Sequence, residues 1–341
     1  MQPYEIGTVV SACLSFVGSL IVCLCCVFFD SWKREYPSIK HVIFCLAFFD
    51  CVAAANYFYS SPSENYVCHI QASIMQMFEI GSWLWNGAFS VELLAIVSTR
   101  NSSSIGFCGV LSGRKRLIAY HFIIWGFSIS TTLYSYFAGY QGFAGKWCWI
   151  SRPLYRVGLG YIPLWITIVV IITSSTRLYR LANYSQRQRS ESGDARKHKR
   201  LNMTSDDRQR MLNRAIAKIA LIPLVFIILH IPGSTRRVME FSSAKLTSST
   251  AYLMLGNLQQ LTDPLHGFVV FVLQLVTDKS LRMHLFSSNL ATLENNNPIM
   301  NNSTSKPAVQ LSMQTRRPVE SVQAETEVYR DSSTNFWQNE D

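Results

Sequence analysis

Seven ionisable side chains stand inside stretches that are otherwise apolar: Asp50, Glu79, Glu92 and Asp263, with His121, His230 and His266. A charge held away from water is costly, so such groups pair with one another or carry proton, ion or ligand chemistry. Asp50 closes LAFFD (46–50), and Asp263 lies in TDPLHGF (262–268), directly before Pro264. Two carboxylates in one low-dielectric site cannot both stay ionised, so one takes a proton or shares a cation. Asp50 and Asp263 are therefore the candidate ion or proton switch. The alternative is two separate carboxylates, each hydrogen-bonded and joining helices.

Glu79, Trp83, Asn86 and Ser90 recur at spacings of three and four, which places them on one helical face. Glu79, Trp83 and Asn86 are candidates to meet a ligand, and for Glu79 the alternative is a cap on a neighbouring polar helix. Glu92 lies about 220° round that helix from Glu79, so the two are not expected to act together. No Lys or Arg stands deep in a stretch to neutralise these acids. The histidines are scattered along the sequence without metal-ligand spacing, and no HExxH, GxSxG or Walker sequence occurs. Catalysis, a metal and a cofactor are all unexpected. The last apolar stretch contains no Lys between Lys245 and Lys279, which excludes a retinal Schiff base there.

Those side chains need long apolar elements to hold them. The 341 residues are 49% hydrophobic and only 15% charged, against about 25% charged in a soluble protein. A bilayer-spanning helix needs ~20 apolar residues. Seven such stretches occur, at about 5–29, 39–59, 70–97, 116–138, 155–181, 215–235 and 249–273. The expected fold is an all-α bundle of seven transmembrane helices over 1–289, with the first span retained rather than cleaved as a signal.

Lys33, Arg34, Arg100 and the run from Arg114 to Arg116 follow spans one and three. Arg177, Arg180, Arg214 and Lys218 belong to a strongly basic fifth–sixth connection around 183–213. These segments should be cytoplasmic and the N-terminus outside. The net charge of +10 then faces anionic lipid and partner proteins, not nucleic acid. Residues 278–286 read as a short amphipathic helix on the membrane surface. The Asn-, Ser- and Thr-rich stretch 290–341 reads as a disordered cytoplasmic tail.

Of nine cysteines, only Cys68 and Cys148 fall on the oxidising side, where disulfides persist. Two eligible thiols make one bridge, the alternative being two free thiols. Such a bridge pins the GKWCWI loop (145–150) over the third helix. Trp147 and Trp149 then sit at the interface with their polar edges in water, or line a ligand entrance. Arg152, Arg156, Arg236 and Arg237 with Lys146 and Lys245 form a basic outer rim that would steer an anionic ligand. Trp149, Arg156 and Arg237 complete the candidate pocket. Pro163, Pro223 and Pro232 lie inside spans five and six, and Pro223 and Pro232 are the candidate activation hinge.

AFFDCVAAANYFYS (47–60), KWCWI (146–150), LIPLVFIILHIPGSTRRV (221–238), HGFVVFVL (266–273) and LRMHLFSS (281–288) carry a resemblance. With seven spans and one outer bridge, the chain resembles G-protein-coupled receptors, in particular the slime-mould cyclic-AMP-receptor-like family and its animal orphan-receptor relatives. The resemblance implies a plasma-membrane receptor that promotes nucleotide exchange on a heterotrimeric G protein, and it supports the Cys68–Cys148 pair. It implies a G-protein surface at Arg100, Arg177, Arg180, Arg214 and Lys218. Arrestin and receptor kinases at the Ser/Thr-rich tail are the further partners, and the small-molecule ligand is unknown. Span three ends IVSTRNSSS (96–104), without the acidic-Arg-aromatic triplet of rhodopsin-like receptors. The competing reading is a seven-helix transporter or proton or ion conductor.

Overall fold

The computed structural model describes residues 3–28, 37–58, 66–100, 113–144, 147–191, 220–242, 249–277 and 282. Seven helical runs lie among them: α1 (Pro3–Phe28), α2 (Pro37–Asn56), α3 (66–100), α4 (Gly113–Phe137), α5 (153–191), α6 (Leu221–Ser242) and α7 (250–277). The first six are long and apolar enough to cross a bilayer unbroken. α7 is split into Thr250–Thr262, a 3-10 turn Asp263–Leu265, and His266–Thr277. Pro264 explains the split, because it has no N–H to donate to the preceding turn.

The basic connection beyond Glu191, the surface helix 278–286 apart from residue 282, and the tail 290–341 lie outside the described residues. So do Lys33, Arg34, Lys146, Arg214, Lys218, Lys245 and the side chain of Arg100. α6, expected over 215–235, is described from Leu221 and continues to Ser242. Pro223 lies near the start of the described segment. Pro232 is the proline inside it.

Large apolar side chains cover much of the outside of the bundle, and its interior mixes an apolar core with buried polar groups. On α1, Ile6, Val10, Leu14, Val17, Leu24 and Val27 form an exposed stripe at helical spacing. Ser11, Ser15 and Ser19, one turn apart on the other side, are each 1% exposed. Small residues let membrane helices approach closely. A Cβ on Gly18 would stand 3.2 Å from the backbone of Phe268 on α7. One on Gly267 would stand 2.0 Å from Ser19 Oγ, 2.6 Å from Ser15 Oγ and 3.2 Å from Asp50 Cβ. Gly267→Ala should therefore lower stability by about 1–3 kcal/mol, the usual cost of overpacking, read as a lower melting midpoint in detergent. Between α2, α3 and α4 lies an aromatic core in which the Phe49 ring is 4.8 Å from Trp125 and 5.3 Å from Phe78.

Two helices carry π turns, Met75–Glu79 in α3 and Val157–Tyr161 in α5. The second lies just ahead of Pro163 and loosens the ladder where proline cannot donate. Just past the end of α4 stands Gly139, whose φ of 64° is left-handed and suits glycine. The chain then forms a hairpin that the sequence did not suggest. β1 (Gln141–Phe143) pairs antiparallel with β2 (Cys148–Ile150), with Phe143 opposite Cys148.

Candidate functional site

The hairpin is fastened to the end of α3. Cys148 and Cys68 form a disulfide with Cα atoms 5.3 Å apart, and both residues are fully buried. The backbone N–H of Cys148 donates to Gln71 Oε1 at 3.2 Å. Gln71 Nε2 donates in turn to the Asn56 carbonyl at 3.1 Å, and Asn56 Nδ2 donates to the Gln71 carbonyl at 3.1 Å. β2, α3 and the end of α2 are thus one connected unit. On the hairpin's other flank, Ser73 donates to Gln141 Oε1, and Gln141 Nε2 donates to Ser135 Oγ on α4.

Trp149 does not hold its polar edge in water. Its indole N–H donates to Gln76 Oε1 at 2.7 Å, and its ring meets Trp83 and Tyr161 edge-on. β-alternation is the cause: Cys148 and Trp149 point to opposite faces of a short strand, so seating the disulfide on α3 drives Trp149 into the bundle. Trp147 packs against Tyr57 at 5.4 Å. Farther out, Tyr140 stacks on Tyr155 at 3.8 Å, and hydrogen bonding with Tyr155 pushes its hydroxyl up to about 12. Tyr140 is therefore neutral at physiological pH, and Arg152, 5.3 Å above its ring, makes a cation–π contact and not an ion pair.

Below the hairpin, Met75, Trp147, Trp149, Tyr161 and Gln259 surround a small cavity together with Tyr57, Glu79, Trp83 and Asp263. The last four also line a second, deeper cavity with Asp50, Ser82, His230 and His266. Three of the predicted acids thus border one polar space. Tyr57 OH donates to Glu79 Oε2 at 3.1 Å. Gln259 Nε2 donates to Asp263 Oδ2 at 2.8 Å and to Tyr161 OH at 3.0 Å. Asp50 accepts from Ser82 Oγ and from His266 Nδ1, the latter at 3.0 Å. Asp50 and Asp263 face the same cavity without bonding to each other.

The tautomers follow from these bonds. His266 donates from Nδ1 to Asp50, which leaves Nε2, 3.4 Å from the Asn86 amide nitrogen, as an acceptor. His230 donates from Nδ1 to the Phe226 carbonyl at 2.9 Å, which makes Nε2 an acceptor too. Asp50 Oδ2, His230 Nε2 and Asp263 Oδ1 are buried and find no hydrogen-bond partner in the protein. Every one of these is an acceptor, and among the described residues no Lys or Arg lines either cavity. Buried acceptors demand donors. The space, about large enough for a water molecule, therefore suits a proton, a small cation or a single donor group reaching into it.

The face read from the spacing is present: Glu79 and Trp83 line the cavities, Asn86 supports His266, and Ser90 donates to the Asn86 carbonyl at 3.1 Å. Arg156 and Arg237 are buried but line neither cavity. Arg156 donates to the carbonyls of Ile150 and Ser151, bracing the hairpin. Arg237 pairs with Glu240 and lies 5.3 Å above the Tyr161 ring. Arg236 reaches Gln259 and the Tyr252 ring. These three are engaged with protein groups, so the picture of a free basic rim does not apply to them.

Glu92 has a neighbouring cation after all. Arg116, near the start of α4, grips it bidentately with both N···O distances at 2.9 Å, and Tyr120 OH donates at 3.4 Å. Glu92 turns away from the cavity face, as its angle on α3 predicted. Arg177 and Arg180 are exposed on the far stretch of α5. Spacing does not single out Tyr57 and Gln259, and only the fold, drawing on the end of α2, on α6 and on α7, brings them together with His230 and His266.

No model of a known family matches the chain. Over 308 residues it is 24% identical to G-protein coupled receptor 157 of Mus musculus, covering 84% of this chain and 86% of that one. It is 26% identical over 179 residues to Cyclic AMP receptor-like protein A of Dictyostelium discoideum. It is 23% identical over 195 residues to Ascaroside receptor GPR2 of Arthrobotrys oligospora. The matched stretches span 45% and 44% of the lengths of those two proteins. The crystal structure of squid rhodopsin superposes with a TM-score of 0.63 at 14% identity, covering 85% of each chain, which shows the seven-helix fold.

Proposed function

We propose that this chain, a multi-pass membrane protein of the G-protein-coupled receptor kind, senses a small extracellular ligand inside its bundle and promotes nucleotide exchange on a heterotrimeric G protein. The observation that carries the reading is the pair of adjoining cavities beneath the disulfide-anchored hairpin. They run from the aromatic group of Trp147, Trp149 and Tyr161 down to Asp50 and His266. A ligand under the hairpin would touch α2, α3, α5 and α7 at once. It would then favour whichever arrangement of those helices binds it better, as a transducer requires.

The unpartnered acceptors favour a ligand with donors or positive charge over the anion that the basic rim suggested. Asp50 and Asp263 remain the proposed ion or proton switch, with His266 as the group that links Asp50 to Asn86. The N-terminus would lie outside, with Arg177 and Arg180 at the plasma membrane's cytoplasmic side as part of the G-protein surface. Arg100, Arg214, Lys218 and the tail, with its arrestin and kinase contacts, belong to the same proposal. Pro223 and Pro232 would be the bends about which α6 moves.

The test is nucleotide exchange by purified receptor in nanodiscs across the Gα classes, with amines and other donor-rich small molecules as ligands and with external pH varied. Exchange on at least one Gα is expected. Glu79→Gln and Asp263→Asn should each weaken the response by about tenfold, the loss of roughly one charge-assisted hydrogen bond. No exchange on any Gα under any condition overturns the reading, and current or flux without G protein would favour a conductor instead.

A further inference from the structure

His41, Cys45 and His121 meet at the end of the bundle away from the disulfide, although 76 residues separate Cys45 from His121 in sequence. His41 and Cys45 are one turn apart on α2, so they share a face. His121 comes from α4. Among the described residues these three form a group of potential ligand atoms that all lie within 4.8 Å of one another. The two imidazole Nε2 atoms are 2.7 Å apart, and Cys45 Sγ is 4.0 Å from His121 Nε2. Trp85 holds the His121 ring from the side, with centroids 5.0 Å apart at 71°. Cys45 is buried, His121 is half-buried and His41 is exposed.

We propose that His41, Cys45 and His121 form a binding site for a borderline divalent cation such as zinc, which would join α2 to α4. Two imidazoles and a thiolate are the ligand set that such an ion selects over magnesium or calcium. Around a tetrahedral zinc, N···N and N···S separations are about 3.3–3.6 Å, from bond lengths of about 2.0–2.3 Å. The observed 2.7 and 4.0 Å straddle those values, so small side-chain rotations bring all three atoms into place. The thiol proton leaves to solvent as the zinc–sulfur bond forms. The exposed side of His41 gives the ion its access, and water completes the fourth position. In the absence of metal the two rings share one proton as a hydrogen-bonded pair, with one ring donating and the other accepting.

Cobalt(II) is the probe, added to full-length receptor without a histidine tag, because cobalt bound to thiolate absorbs in the near ultraviolet and zinc displaces it. One equivalent and a sulfur-to-cobalt band are expected. His41→Ala, His121→Ala and Cys45→Ser should each weaken binding at least as much as losing an outer-shell partner does, about 10–100-fold, while His69→Ala leaves it unchanged. His41 is exposed, so its variant keeps the fold even if Cys45→Ser does not. A bound metal should also shield Cys45 from alkylation. Absence of the sulfur band, or binding that survives His41→Ala, overturns the site.

Discussion

Cys148→Ser should lower the stability of the receptor by about 4–5 kcal/mol, the figure that loop-closure entropy gives for a bridge of this span. The separation of 80 residues places it near the top of that scale. Unfolding midpoints in detergent, with and without reductant, measure the loss, and the reductant should then have no further effect on the variant. The damage should extend beyond the sulfur. Cys148 also brings the backbone N–H that Gln71 holds, and the hairpin carries Trp149 into the cavity wall. The variant should therefore lose ligand response even at temperatures where it stays folded. A labelling experiment on unreduced wild type should leave Cys68 and Cys148 unmodified, and modification of either would show that the bridge is not formed.

The second large effect concerns Glu92, which is fully buried, and Arg116, whose side chain is 12% exposed. Arg116→Ala leaves a carboxylate uncompensated in the interior, and breaking a buried pair from one side costs about 3–5 kcal/mol. Removing both charges is different. Arg116→Met combined with Glu92→Met should fall within about 1–2 kcal/mol of the wild type, because apolar side chains of similar volume avoid the desolvation penalty altogether. Thermal midpoints of the two single variants and the double give a cycle with strong coupling. Additive single effects would mean that the pair contributes nothing to holding α4 on α3.

Much of this fold is legible from hydropathy alone, because a bilayer forces each span to be long, apolar and helical. The seven stretches and the Glu79–Trp83–Asn86–Ser90 face follow from spacings of about 20 and 3.6 residues. Pairings between distant elements do not. His41 and His121 look scattered, yet α2 and α4 bring them together. Glu92 looks unneutralised, yet the long reach of Arg116 spans the gap to α3. Arg156 and Arg237 look like a rim because sequence shows where a charge enters a span but not which carbonyl or carboxylate receives it. The hairpin was hidden for a related reason: three-residue strands carry too little alternation to register.

The π turn at Met75–Glu79 also changes how this chain can be counted against its relatives. Eleven residues of regular helix would place Cys68 and Glu79 only about 20° apart, both looking at the hairpin. The wide turn retards the helix by about 100°, so that Cys68 meets β2 while Glu79 meets Tyr57 and the cavity. It acts as a phase shift between the part of α3 that anchors the hairpin and the part that lines the cavities. A relative that lacks the extra residue would align well on either side of it and still present a different side chain to the cavity. Pocket residues are therefore best transferred between such proteins by counting from Ser82 and Asn86, below the turn, and not from the cysteine above it.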